Sequence, residues 1–411
     1  MSQPRTASVV AYLSPQLPSL SETFVYEELL GVLDRGISVL PVSVHRARAA
    51  PPGAPARRLP PVHCLYGRTP LVEAAAALLR LPSHLPRLPR ALRWLASDLR
   101  ETGLHRAAGW KLLYQFCAGI KLAGLLIEHR CQHLHVHFAH VPAQIAMYAS
   151  ALSGVPYTVT AHANDIFQRG HLLRQKAERA KRVVAISEFN RDFLQRCGVP
   201  PAKVSVVRCG PSFQAAQPQP RASAAVPCIG TLGRLVEKKG MDVLIEAIAE
   251  LHRRAVPVRL AIAGEGPCRG ALEAKVRELG LQAQVQFAGA LAHAEVAAWM
   301  RSLDVFALAS KPDKDGDMDG IPVVLVEAMS QAVPVVSTRL SGIPELVVHD
   351  RTGLLAEPAD PVDLADQLER LLRSQPLRET LTRNAVAHVK TEFGREVNLD
   401  RLIALFATPS A

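Results

Sequence analysis

The sequence predicts an α/β chain made of two doubly wound, Rossmann-like domains facing each other across a cleft. Three observations carry that prediction. Short β-branched runs alternate with longer helical patterns along most of the 411 residues, and strands spaced by helices of ten or more residues form βαβ units and parallel sheets. The length suits two domains of roughly 100–200 residues each. Between the halves, Gln214–Pro227 (QAAQPQPRASAAVP) lacks periodicity and has the Pro- and Ala-rich composition of a linker.

In the first half the predicted strands are Ser8–Leu13, Ser38–Ser43, His133–Phe138, Tyr157–Thr160, Val183–Ile186 and Val204–Val207. In the second they are Cys228–Leu232, Arg259–Ala263, Val285–Phe287, Val305–Ala309 and Val335–Thr338. Ala47–Pro61 is Pro-rich and reads as a surface loop. Residues Leu71–Arg130 are helical in pattern and longer than one crossover requires, so they read as an insertion. Within them Arg87, Arg90, Arg93 and Arg100 accompany Leu88, Leu92, Trp94, Leu95 and Leu99, a combination that suits an anionic bilayer surface as well as a core-facing stripe. The expected division is residues 1–215, 216–388 and a terminal helical segment, 389–411.

Charge is split between the halves. Residues 1–220 hold 26 Lys and Arg against 12 acids, or +14; residues 221–411 hold 22 against 25, or −3. Basic charge alone admits nucleic acid, an anionic membrane or a phosphorylated substrate. The basic half interleaves few aromatics with its cations and shows no nucleic-acid motif, so no nucleic-acid partner is expected. Seven cysteines form no C-x-x-C pair, which argues for a reducing compartment and against a disulfide framework or structural zinc. The N-terminus has no signal-peptide pattern, and Lys111 and Lys121 interrupt the most apolar stretch, Trp110–Glu128. A cytoplasmic protein is expected, with peripheral contact at the inner face of the membrane.

The chemistry gathers in the second half. In Ser310–Arg339 (SKPDKDGDMDGIPVVLVEAMSQAVPVVSTR) a strand ends, a polar loop follows, and a helix is expected to begin around Ile321–Pro322. Proline suits a first helical turn, and the N–H groups of Val323, Val324 and Leu325, after Gly320, would form an anion site suited to a diphosphate. Asp319 and Glu327 flank it, placed to accept hydrogen bonds from sugar hydroxyls. In Gly230–Gly240 (GTLGRLVEKKG), Arg234 and Lys239 can converge on one phosphate. Gly264, Glu265 and Gly266 form a strand-to-helix turn open to close backbone approach, and Ser341–Glu345 follows the next strand. All four segments fall at strand carboxyl ends, where wound sheets bind ligands.

Metal readings are weaker. Asp315-x-Asp317-x-Asp319-Gly320 starts like a calcium loop, but position 326 is Val326 where the loop needs Glu. Asp313, Asp315 and Asp317 read instead as a solvated acidic loop. His133, His135 and His137 share one strand face, and His140 follows, but apart from Cys131 no further ligand stands at suitable spacing. No metal is assigned.

The ordered segments GRLVEKKG, AGEGP, DGIPVVLVEAMSQAVPVVST and SGIPELV resemble the retaining glycosyltransferases of family 4, whose fold is the two-domain GT-B. The likeness is strong over 228–375 and looser before it, and extends to the exopolysaccharide and colanic acid branch. It implies a nucleotide-sugar donor as co-substrate, no cofactor, Asp319 on the donor sugar, Glu327 on the ribose, and Arg234 and Lys239 on the diphosphate. Asp319 stands where the family has Glu, one methylene shorter. It also implies a terminal helix that crosses back to the first domain.

Two segments of the first half take roles from the same resemblance. Ser19 and Glu22 have the spacing of a helix capping box; the family's exopolysaccharide branch has a similar SETF segment, so Ser19, Ser21 and Glu22 are assigned to acceptor or donor-phosphate contact. His162, in Thr160–Asp165 (TAHAND), matches an HxxD segment that the family places against the donor sugar, while Asp165 supports the turn. The expected activity is retaining transfer from a UDP- or GDP-sugar to a saccharide or lipid-diphosphate-linked acceptor, without a metal. The alternatives are a nucleotide-sugar epimerase of the same fold and, from another class, a basic nucleic-acid-binding protein.

Overall fold

Seven short runs of the first half line up in parallel in the computed structural model: β1 (Val9–Gln16), β2 (Ser38–His45), β3 (His63–Tyr66), β4 (His133–His137), β5 (Tyr157–Ala161), β6 (Arg182–Ala185) and β7 (Val204–Val206). Their order is β3-β2-β1-β4-β5-β6-β7. Six more form a second parallel sheet: β8 (Cys228–Leu232), β9 (Arg259–Ala263), β10 (Val285–Gly289), β11 (Val305–Ala307), β12 (Val335–Thr338) and β13 (Leu354–Ala356). Here the order is β10-β9-β8-β11-β12-β13. Strand order reverses direction at β1/β4 and at β8/β11, the switch points where wound sheets open toward ligands. The structure describes residues 9–18, 23–46, 59–67, 81–167, 170–210 and 226–407, with positions 72, 75, 77 and 79. Most of the expected linker lies outside them, as do Ser19, Ser21 and Glu22 and most of the Pro-rich loop.

The chain divides into two units: residues 1–186, 191–210 and 398–411, and residues 187–190 with 211–397. The segment expected as one helix from Val389 is broken. A wide turn at Val389–Phe393 ends the preceding helix, and a new helix spans Arg395–Ala407. Val389 and Phe393 are buried in the second unit's core. Leu399 and Leu402 are buried in the first. There Phe406 lays its ring against His133 and His135, at centroid distances of 4.9 and 5.3 Å. Asn398 Oδ1 accepts the Arg208 N–H at 3.0 Å. The C-terminal helix thus returns to the first unit.

Two strands escape the sequence pattern. β3 is four residues of mixed polarity, and β13 is a Leu-Leu-Ala run without β-branching; both lie at sheet edges.

The helical insertion resolves into Leu88–Thr102 and Ala107–Glu128. The second is long and apolar enough to cross a membrane. Its side chains at Leu112, Phe116, Ile120, Leu122 and Leu126 are nevertheless buried in the first unit, and Lys121 Nζ donates to the Cys64 and Leu65 carbonyls at 3.0 and 2.8 Å. The Arg-Leu stripe is corrected in part. Leu95 is buried, and Leu88, Trp94 and Leu99 pack against the core, because those positions share the helix face that meets it. Of the five apolar residues only Leu92 is exposed, joined by Leu85, Leu104 and Trp110.

Candidate functional site

In the second unit, β8 runs into Gly233 and Arg234, a short turn at Glu237–Lys239, and the helix Met241–Arg253. The turn is held by backbone bonds to the neighbouring β9 loop: Gly233 N–H to the Ala263 carbonyl at 3.1 Å, and Leu235 N–H to the Glu265 carbonyl at 3.0 Å. A Cβ on Gly264, where φ is +122°, would stand 1.9 Å from the Gly233 oxygen, and one on Gly266 would stand 2.4 Å from that of Leu235. The close approach expected at these glycines is therefore made by the chain's own backbone, which they press into the shape that presents Arg234. Glu265 is exposed and pairs with Arg269 Nη1 at 2.6 Å.

Lys239 and Asp319, eighty residues apart, meet: Nζ lies 2.7 Å from Oδ2, to which Ser310 Oγ also donates at 3.3 Å. Lys238 pairs with Asp317 at 2.8 Å and approaches Asp319 Oδ1 at 3.8 Å. The acidic loop is thus not merely solvated. Asp313 Oδ1 accepts the N–H groups of Asp315 and Asp317 at 3.0 and 2.8 Å, folding the loop so that Asp317 and Asp319 reach the lysines. Arg234 differs: it is exposed and makes no side-chain hydrogen bond or ion pair among the described residues.

The helix after the loop starts one step later than expected. Pro322 is its N-cap, with extended backbone, and the helix spans Val323–Ser330. Because Pro322 is outside the helix, its carbonyl turns inward and takes the Leu325 N–H at 3.0 Å. Leu325 is therefore not a free donor, and Val323 and Val324 carry the N–H groups that have no partner among the described residues. Glu327, one turn on, is half-buried, and its carboxyl has no hydrogen-bond partner among the described residues. Burial pushes its carboxyl up to about 7.

The first unit's polar cluster is built on β4, whose five residues are all buried. Its three histidines share one face, and buried imidazoles need partners. Thr158 Oγ1 lies 2.9 Å from His133 Nε2 and 2.7 Å from His135 Nδ1. His137 Nε2 lies 3.0 Å from Glu28 Oε1, and its Nδ1 lies 3.3 Å from His162 Nε2. Burial lowers the His135 and His162 pKa values and pushes His133 down to about 2. Burial alone would raise the Glu28 carboxyl, but the contacts with His137 and His135 outweigh it and hold it below the carboxylate range. Glu28 is the residue that spacing along the histidine strand does not reveal. With His135 and His137 it offers three ligand atoms within 4.8 Å of one another, a donor set suited to zinc or another first-row divalent ion. Those atoms are already engaged in hydrogen bonds, so the cluster is satisfied without an ion.

Asp165 supports the turn at His162. Its Oδ2 accepts the His162 N–H at 3.1 Å and that of Ala139, whose carbonyl accepts from Lys176. Burial drives the Asp165 carboxyl up to about 7 and the Lys176 ammonium down to about 7.

Two parallel, doubly wound sheets of seven and six strands define a GT-B protein. Solved structures agree on the fold: a glycosyltransferase of Rickettsia africae superposes with a TM-score of 0.72 at 15% identity, covering 98% of each chain. HepE of Anabaena, solved with UDP, gives 0.71 at 18%, covering 97% of this chain and 98% of its own. Residues 226–374 match the profile of glycosyl transferases group 1, and residues 99–212 that of Glycosyltransferase Family 4. WcaL of Escherichia coli K12, named for colanic acid biosynthesis, is 31% identical over 87% of this chain and 89% of its own. The amylovoran biosynthesis glycosyltransferase AmsK of Erwinia amylovora is 29% identical over 94% and 96%. The chain belongs to glycosyltransferase family 4.

Proposed function

We propose that the chain moves a hexosyl group from a UDP- or GDP-sugar to a saccharide acceptor carried on a lipid diphosphate, with retention of anomeric configuration, in exopolysaccharide synthesis. The observation that carries this reading is a pair of unspent side chains in the second unit: the exposed Arg234 guanidinium and the half-buried Glu327 carboxyl, neither with a hydrogen-bond or ion-pair partner among the described residues. A diphosphate supplies what the first lacks, and ribose hydroxyls what the second lacks. That HepE is solved with UDP-glucose supports the donor class.

In the reaction the anomeric C–O bond breaks with its electron pair leaving on the diphosphate. The acceptor oxygen bonds the anomeric carbon on the same face and passes its proton to a diphosphate oxygen. Arg234, the Val323 and Val324 N–H groups, and Lys239 drawn from Asp319 stabilise the leaving charge, the largest contribution expected of such a site. Asp319, relieved of Lys239, accepts from the donor sugar. No cofactor or metal takes part.

Docking at the cytoplasmic membrane face would use exposed Leu92, Leu104 and Trp110 beside Arg93, Arg100 and Lys111, which pair apolar anchors with cations for anionic lipid. The test is thermal shift against UDP-, GDP-, ADP- and CMP-sugars, followed by NMR of the product's anomeric proton with a membrane-extract acceptor. A UDP- or GDP-sugar should stabilise the protein and yield the donor's anomer. Inversion, or activity lost in EDTA and restored by magnesium, would overturn the mechanism.

A further inference from the structure

Each hydrogen bond holds one proton, so fixing one end of a chain of imidazoles fixes every tautomer along it. The cluster on β4 has such an end. The Glu28 carboxylate can only accept, and Tyr12 Oη also donates to its Oε1, at 3.2 Å. His137 Nε2, 3.0 Å from the same oxygen, must carry a proton. With that one proton, His137 has a bare Nδ1, which takes the proton of His162 Nε2 at 3.3 Å. A doubly protonated His137 would donate there instead and reverse the assignment, leaving His162 protonated on Nδ1. The second branch follows the same direction. His135 Nε2 faces both Glu28 Oε1 at 3.5 Å and Thr160 Oγ1 at 3.2 Å. With its proton turned to Glu28, its Nδ1 takes the Thr158 hydroxyl proton, and the Thr158 oxygen takes the His133 Nε2 proton. This branch does not lead to His162, where the assignment rests on His137 alone. The end product is His162 protonated on Nε2, with no described residue hydrogen-bonded to its Nδ1. Reversed, the chain would make that nitrogen a donor instead.

We infer that Glu28 and His137 are positioning residues that lock His162 as the Nε2–H tautomer, so that its Nδ1 lone pair accepts a hydrogen bond from a sugar hydroxyl. The ligand rests on the glycosyl-transfer reading; the tautomer rests on the hydrogen bonds alone.

Long-range ¹H–¹⁵N spectra of the full-length protein labelled in histidine, assigned with His162→Asn, test it. His162 should show a protonated Nε2 and a bare Nδ1, which needs no variant to fold. Glu28→Gln keeps an acceptor oxygen, pinned by Tyr12, and should keep the tautomer. Glu28→Ala should give mixed tautomers at His162 and lower kcat about ten- to a hundredfold, with donor KM little changed, since misplacing a group near the reacting centre costs on that scale. A wild-type His162 protonated on Nδ1, or a tautomer unmoved by Glu28→Ala, overturns the lock. The stated tautomer in a protein that transfers no sugar overturns the glycosyl-transfer reading and leaves the lock standing.

Discussion

In the first unit, His133, His135, His137 and His162 hydrogen-bond with Thr158, Glu28 and one another, and Asp165 holds two backbone N–H groups. In the second, the side chains of Arg234 and Glu327 bond to no described residue, and Lys239 is held by a single carboxylate that a stronger anion could displace. The histidine cluster spends most of its polar groups on its own architecture. The second unit leaves two ionisable side chains unpaired among the described residues, as a site does when its affinity depends on contacts made only after binding. Substitution of Asp165 should therefore act mainly through stability, and substitution of Arg234 mainly through turnover.

Arg234→Ala gives the sharpest test. No side-chain hydrogen bond or ion pair to a described residue is lost, so the melting temperature should stay within about a degree, since surface changes away from special features fall within roughly 0.5 kcal/mol. Turnover should fall about 10²–10³-fold, the usual loss for one charged stabiliser of a leaving group. A near-normal rate would break the contrast, and so would a folding defect.

The converse is Asp165→Ala. It leaves the N–H groups of His162 and Ala139 buried without an acceptor, at a cost of about 2–3 kcal/mol. For a unit near 200 residues that lowers the melting temperature by about 5–10 °C. Denaturant unfolding read on the first unit checks it; an unchanged midpoint would mean that these groups find other partners.

The two regions also differ in how far they can be read from sequence. The second unit's loops are consecutive residues at strand ends, so GRLVEKKG and DGIPVVLVE place Arg234, Lys239, Pro322 and Glu327 without a fold in hand. What stays hidden is pairing across eighty residues: nothing in either segment says that Lys239 holds Asp319, or that Asp313 folds the loop to allow it. Leu325 shows the limit of a helix-start argument, because shifting Pro322 from first turn to N-cap removes one free N–H. In the first unit the histidine alternation is plain, but the carboxylate that orders it lies over 100 residues earlier. The link is topological. The helix Thr23–Asp34 follows β1, and the strand-order switch sets β1 beside β4. Glycines 264 and 266 are legible as points of close approach, and the chain's own backbone stands where their Cβ atoms would.

Glu327→Gln makes the smallest change and sharpens the contrast most finely, through pH. Burial raises the carboxyl to about 7 from its ordinary 4.5. Between those values the folded chain keeps a proton that the unfolded chain has released, so stability falls as pH rises through the window and levels off above about 7. Glutamine carries no such proton. The variant should match the wild type near pH 4 and exceed it at pH 8 by about 1–2 kcal/mol, a discounted figure because the group is only half-buried. Nucleotide binding should move the other way. An ionised Glu327 accepts ribose hydroxyls, so the wild type should bind its nucleotide more tightly at pH 8 than at pH 6, while the variant loses that dependence. Melting curves and nucleotide titrations at the two ends of the window measure both. An equal stability difference at pH 5 and pH 8 would show that Glu327 ionises as an ordinary surface carboxylate, and that it is not a group kept in reserve for a ligand.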